Sequence, residues 1–247
     1  MNRKKEYADS RSRLNILRRT ANEVKSYRTQ KRILLTAMSA LLTLASLIFM
    51  AAALHHEMGR LSVGIDKKDA VDYKLTLSET YDMEVCTSRL NAEISERITN
   101  ISVDDLPGNL GQIDGQHSGD NYVAYTFYLQ NRGKETYDYT YELTISGVTR
   151  GLDEAIRIRF YVGDEYTDYA KTRSDGGGAE PGTTEFYSLG VVTKGKVQNY
   201  QPMDKTKYTI VIWLEGDDPD CIDRLIEGTA KIEMNFRVVL PEGAQTQ

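Results

Sequence analysis

The sequence predicts a mainly β protein: an antiparallel β-sandwich, jelly-roll or immunoglobulin-like in arrangement, preceded by one transmembrane helix. Three observations predict it. Residues 33–54 are 22 consecutive uncharged positions (ILLTAMSALLTLASLIFMAAAL). Beyond residue 59 the apolar period becomes two, the period of a strand with one buried and one wet face. Aromatic usage is also skewed, with 16 Tyr against five Phe and one Trp. Tyrosine suits pleated, half-buried strands, where the ring packs and the hydroxyl stays wet.

The apolar run comes first in the chain. At 1.5 Å per residue it measures about 33 Å as a helix, enough for a hydrocarbon layer of about 30 Å. Its flanks are asymmetric. Residues 1–32 hold 11 Lys/Arg against three acids, a net of +8; the whole chain is −5, which leaves −13 for the remainder. Arg28, Lys31 and Arg32 abut the run on its N-terminal side, so the positive-inside rule places a basic tail, residues 1–32, in the cytoplasm. Residues 60–240 then form the extracellular domain, and 241–247 a C-terminal tail. A cleaved signal peptide is the competing reading, since Ala51, Ala52 and Ala53 offer small residues for cleavage. Against it, the run exceeds an ordinary signal core of about 7–15 residues. Both readings export the acidic body. Within the tail, Leu14, Ile16, Leu17, Ala21 and Val24 interleave with arginines, the pattern of an amphipathic helix on anionic lipid. No nucleic-acid motif accompanies the charge.

The body reads as a series of strands. Val123, Tyr125, Phe127 and Leu129 alternate within 122–130, and Tyr139, Tyr141, Leu143 and Ile145 within 139–145. Ile156, Ile158, Phe160 and Val162 alternate in the next run; Ala230, Ile232, Met234, Phe236, Val238 and Leu240 do so in the last. The stretch 208–214 (YTIVIWL) is apolar nearly throughout, as a central strand should be. Asn131-Arg132-Gly133-Lys134, Ser146-Gly147 and Gly163-Asp164 supply turns between runs. Weaker strand candidates lie at 71–78, 81–85 and 98–103. Residues 106–120 and 173–183 read as long irregular surface segments. Leu90, Ile94 and Ile98 give 87–97 helical spacing, and 152–155 reads as one helical turn.

Catalytic signatures are not found. His56-Glu57-Met58-Gly59-Arg60 lacks the second histidine of a zincin helix. His117, in the polar string GQHSGD, reads as a loop residue rather than a catalytic base. The expectation is that the chain is not an enzyme and takes no cofactor. Asp217, Asp218 and Asp220, beside Cys221, form a weak Ca²⁺ candidate through carboxylate oxygens, without the spacing of an EF-hand loop. The competing reading is a structural turn capped by Asp218 or Asp220. Cys86 and Cys221 are the two cysteines. Exported, they are either two free thiols or one bridge, and a bridge would add about 4–5 kcal/mol in the chain-entropy model.

The string NYVAYTFYLQNRG at 121–133, then 137–141, then Ala155-Ile156-Arg157, then 212–221 with Gly228, resembles exported Firmicutes surface proteins of the TasA/camelysin-like group over roughly residues 100–240. The resemblance implies a jelly-roll-like sandwich displayed at a bacterial surface and partners joined by β-strand addition, as in matrix fibres. The metallopeptidase assignment of camelysin-type members is not carried over, because no matching zinc ligands occur. A retained anchor also departs from fibre-forming relatives. The functional expectation is therefore a membrane-tethered, cell-surface structural or adhesive protein that anchors or assists matrix-fibre assembly. Its partners would be the lipid bilayer and other surface or matrix proteins. The alternative is a single-pass signalling protein with an extracellular sensing domain and a basic cytoplasmic tail.

Overall fold

The computed structural model describes residues 26–27, 29–50, 60–93 and 99–239. The chain divides into two compact units, residues 1–56 and 57–247. In the first, α1 (Thr29–Met50) is a 22-residue apolar helix with no part of it buried. The hydroxyls of Thr36, Ser39 and Thr43 each donate to the carbonyl three residues back, at 2.9 Å. Residues 51–54, the end of the anticipated span, lie outside the described residues, as does the stretch 1–25 of the anticipated amphipathic tail.

The second unit holds twelve described strands, one short α-helix and four single-turn 3₁₀ helices. The strands and the α-helix are β1 (Arg60–Ile65), α2 (Lys67–Asp72), β2 (Leu75–Ser78), β3 (Arg89–Glu93), β4 (Gly115–Gln116), β5 (Tyr122–Asn131) and β6 (Tyr137–Ser146). There follow β7 (Ile156–Val162), β8 (Glu165–Ala170), β9 (Thr184–Glu185), β10 (Val191–Tyr200), β11 (Lys205–Leu214) and β12 (Lys231–Val239). One sheet has the order β10-β6-β12-β1-β3, and the other β2-β5-β11-β7-β8-β9 with β4 beside β5.

The pairing is nested. β7 pairs with β8, β6 with β10, β5 with β11 and β1 with β12, alternating between the two sheets from the innermost pair to the outermost. A long hairpin folded over itself produces the three inner, antiparallel pairs, the order of a jelly roll rather than of an immunoglobulin fold, while β1 joins outside them. The sheets are mixed, however, and not purely antiparallel as the sequence suggested. β1 runs parallel to β12, with Leu61 opposite Ile232 and Ile65 opposite Phe236, and β8 runs parallel to β9.

Alternation builds the core. Leu61, Val63, Tyr125, Phe127, Leu129, Tyr139, Leu143, Ile158, Tyr208, Ile210, Met234 and Phe236 are buried in one cluster between the sheets. Rings join the two layers: Phe127 and Tyr208 stand 6.2 and 5.2 Å from Phe236. The Tyr139 and Tyr208 hydroxyls meet across the sandwich at 2.8 Å, so each buried O–H is satisfied by the other layer. A smaller cluster lies on the outer face, where Leu106 and Leu110 cover Ala124, Tyr161, Val211 and Trp213. The irregular segment 106–120 is therefore a packed cover.

Three local expectations are corrected. Residues 89–93, expected to be helical, form β3 against β1. Leu90 and Ala92 alternate inward there, and the open side of β1 supplies a ladder that a short helix could not use. Ile94 and Ile98 lie outside the described residues. Residues 81–85 form turns, and the stretch 71–78 splits into the end of α2 and β2. The turn at 152–155 is a short 3₁₀ helix, Leu152–Glu154. Gly163 opens the two-residue β7–β8 hairpin at φ 66°, the left-handed value that this turn needs at its first position.

Candidate functional site

The acidic string after β11 sits at the sandwich end formed by connections 147–155, 171–190 and 215–230. Its four carboxylates have separate roles. Glu215 is buried and accepts from Trp213 Nε1 at 2.9 Å and from the Val103 amide at 3.2 Å. Asp217 is exposed and accepts from Ser102 Oγ at 2.9 Å. The Asp218 side chain is fully buried; it accepts from Arg157 Nη2 and from the Asp220 amide, the latter at 2.8 Å. Asp220 accepts from Ser174 Oγ at 2.8 Å.

The predicted trio is thus split. Asp218 and Asp220 come together with Glu180, one carboxylate oxygen of each lying within 4.8 Å of the others, while Asp217 is held by Ser102. Glu180 belongs to the segment read as an irregular surface loop, yet only 7% of its side chain is exposed. Arg157, 4% exposed on the outer face of β7, stands 3.4 Å from the Glu180 carboxylate. A guanidinium carries the positive charge here and anchors both loops to the sheet. Asp218 closes a local turn on the Asp220 amide, but neither aspartate caps the helical turn expected over 221–226, which is a 3₁₀ helix, Asp223–Leu225, with Ile222 at its N-cap and no side-chain cap.

Burial raises the Glu180 carboxyl above its ordinary range; Asp218 pushes the same way, and Arg157 opposes it. Burial, then Asp218 and Glu215, likewise raises the Cys221 thiol. Chemically the cluster can hold loops together and bind or release protons. Sequence reasoning gives Arg157 no site role and does not reach Glu180, because no local pattern links either residue to the acidic string after β11. The one signal was an arginine directly after Ile156, in a strand whose other residues are nearly all apolar.

Cys86 and Cys221 are free thiols at opposite ends of the sandwich, so no bridge joins them. Cys86 accepts from Arg132 Nη1 at 3.0 Å, just past the end of β5. Cys221 follows β11, which runs antiparallel to β5 with Trp213 opposite Tyr122. The His117 ring nitrogens lie 2.9 Å from the carbonyls of Gly115 and Leu110, and the nitrogen that carries the proton donates to one of them. The ring ties the outer cover to β4. His55 and His56 lie outside the described residues.

No protein-family model matches the chain, and no curated protein matches it. Among solved structures it is similar to a beta-glucosidase from Kluyveromyces marxianus. The complex with glucose is 11% identical over 68% of this chain and 16% of that one, with a TM-score of 0.26. The selenomethionine-labelled form is 17% identical over 69% and 18%, with a TM-score of 0.23. The chain thus spans under a fifth of the length of either, and likeness at this level carries no inference about fold or activity.

Proposed function

We propose that this chain is a membrane-tethered surface protein whose jelly-roll sandwich serves as a structural or adhesive module. The observation that carries the reading is α1: a 22-residue helix, uncharged from Ile33 onward, whose apolar stretch is not buried, with a net charge of +8 over residues 1–32. The Thr36, Ser39 and Thr43 hydroxyls bonded inside the helix add support, because hydrocarbon offers such groups no other partner. In this reading the tail stays in the cytoplasm and the acidic sandwich is displayed outside, in keeping with the TasA/camelysin-like resemblance.

Sheet edges favour β-strand addition as the mode of contact. β10 is a guarded edge, since Lys194 and Lys196 lie on it and its register slips twice against β6. Among the described residues β3, the opposite edge, is a five-residue strand that pairs with β1 alone. An extended segment of a surface or matrix protein would add there through main-chain hydrogen bonds. Substituting Asn91→Pro on β3, which removes one edge amide, tests this by pull-down of surface proteins from detergent extracts. Loss of a wild-type partner supports addition at this edge; an unchanged partner set contradicts it. The charge of the tail favours the signalling alternative, in which deletion of residues 1–30 abolishes a cytoplasmic response without affecting insertion.

A further inference from the structure

At the end of the sandwich opposite the acidic string, the β5–β6 turn and the junction of α2 with β2 enclose a cavity of about 600 Å³. That volume falls within the roughly 300–1,000 Å³ of small-molecule sites. Lys74, Arg132 and Lys134 line it, together with Asp72, Glu135 and Tyr73. Three cations against two carboxylates give a formal +1 there, on a body that carries −13 over residues 33–247.

The three cations are uncommitted. Arg150, Arg157, Arg159, Lys171 and Arg173 are each ion-paired. Among the described residues no carboxylate pairs with Lys74, Arg132 or Lys134. Arg132 Nη1 donates to the Cys86 sulfur, a weak acceptor.

The walls of the cavity are fixed from within. Asn131 is fully buried at the start of the β5–β6 turn. Its Nδ2 donates to the carbonyls of Glu135 and Tyr200 at 2.9 and 3.1 Å, and its Oδ1 accepts from the Gly133 amide at 2.9 Å. The Arg132 amide donates to the Lys74 carbonyl at 3.1 Å and so joins the two walls. Tyr73 packs edge-on against Tyr137, with 5.6 Å between ring centres. Lys74 itself sits at φ 55°, where a glycine is unstrained and a lysine is not. Its backbone gives no reason for a side chain at that position; the cavity does.

We propose that this cavity binds a phosphorylated sugar or polyol, at a site separate from the β3 edge and from α1. A phosphate monoester carries about −1.5 to −2 charges at neutral pH, and it accepts charge-assisted hydrogen bonds from guanidinium and ammonium groups. Lys74, Arg132 and Lys134 receive the phosphate. Asp72 and Glu135 are acceptors only when ionised, and they take hydroxyl groups of the sugar or polyol. The Tyr73 ring offers its apolar face to the carbon skeleton. Inorganic phosphate alone would leave both carboxylates without a donor.

Isothermal titration calorimetry of the full-length protein in detergent tests the proposal, with glycerol 3-phosphate and glucose 6-phosphate as probes. At least one ester should bind saturably, with one molecule per chain. Inorganic phosphate should bind about tenfold more weakly than that ester, and glycerol not at all. Lys134→Gln, on the exposed turn, should weaken binding about tenfold. Lys74→Gly removes a cation and relieves the backbone, so it should weaken binding to a similar degree without lowering the melting temperature. Lys194→Gln, on β10, should bind as the wild type does. Absence of saturable binding for both esters overturns the proposal, as does inorganic phosphate that binds as tightly as either ester. So does equal weakening by Lys194→Gln, or weakening confined to variants that melt earlier than the wild type. Binding unchanged in both Lys134→Gln and Lys74→Gly overturns it as well.

Discussion

Arg157 concentrates the strongest residue-level consequence. Its guanidinium is buried against Asp218 and Glu180, and a buried charge that loses its partner costs far more than the pair contributes. Asp218→Ala is expected to destabilise the sandwich by about 3 kcal/mol in urea unfolding, whereas Asp217→Ala, at an exposed position, should cost about 0.5 kcal/mol or less. Cys221 supplies a second residue-scale prediction. Its thiol is raised by burial and by Asp218 and Glu215, and only the thiolate is nucleophilic. At pH 7.5 iodoacetamide should therefore modify Cys221 several-fold more slowly than a cysteine in an unfolded peptide. Mass spectrometry without reductant should find two alkylatable thiols per chain after denaturation; a mass two hydrogens lighter and no label would contradict the separation of Cys86 from Cys221.

Among elements, β10 and α1 make opposite demands. At Gly195 an added Cβ would lie 2.3 Å from the Tyr141 ring, so the ring covers the strand where a side chain would otherwise stand. Gly195→Val should shift that ring and lower the melting temperature by several degrees, by about 2 kcal/mol of overpacking. Leu42→Arg, in the middle of α1, should cost about 3 kcal/mol of insertion and reduce the membrane-bound fraction. The same two elements show what sequence could convey. α1 was legible because an uncharged run of lipid length has few other uses, and β5, β7, β11 and β12 because one of their faces is continuously apolar. β10 (VVTKGKVQNY) was not: two register slips, a glycine and two lysines erase its alternation. β3 was read as helix because Leu90, Ile94 and Ile98 fit a helical spacing, and only the unpaired side of β1 favours a strand. The ion cluster was hidden for another reason. Arg157 and Asp218 are 61 residues apart, and no local pattern links a strand arginine to two separate loops.

For the whole molecule, the nested order β1–β12, β5–β11, β6–β10, β7–β8 closes two sheets over one tyrosine-rich core. Long-range pairing of this kind makes β1 and β12, near the two ends of the unit, depend on each other. The central claim is that an apolar helix parks this sandwich outside a membrane. Protease shaving of intact cells, followed by N-terminal sequencing of the surviving membrane fragment, tests it most directly. The account predicts a protected fragment that begins at the native N-terminus and contains α1, with the sandwich released by the protease. A sandwich resistant on intact cells but digested after lysis, or a soluble protein that begins after residue 50, would contradict it.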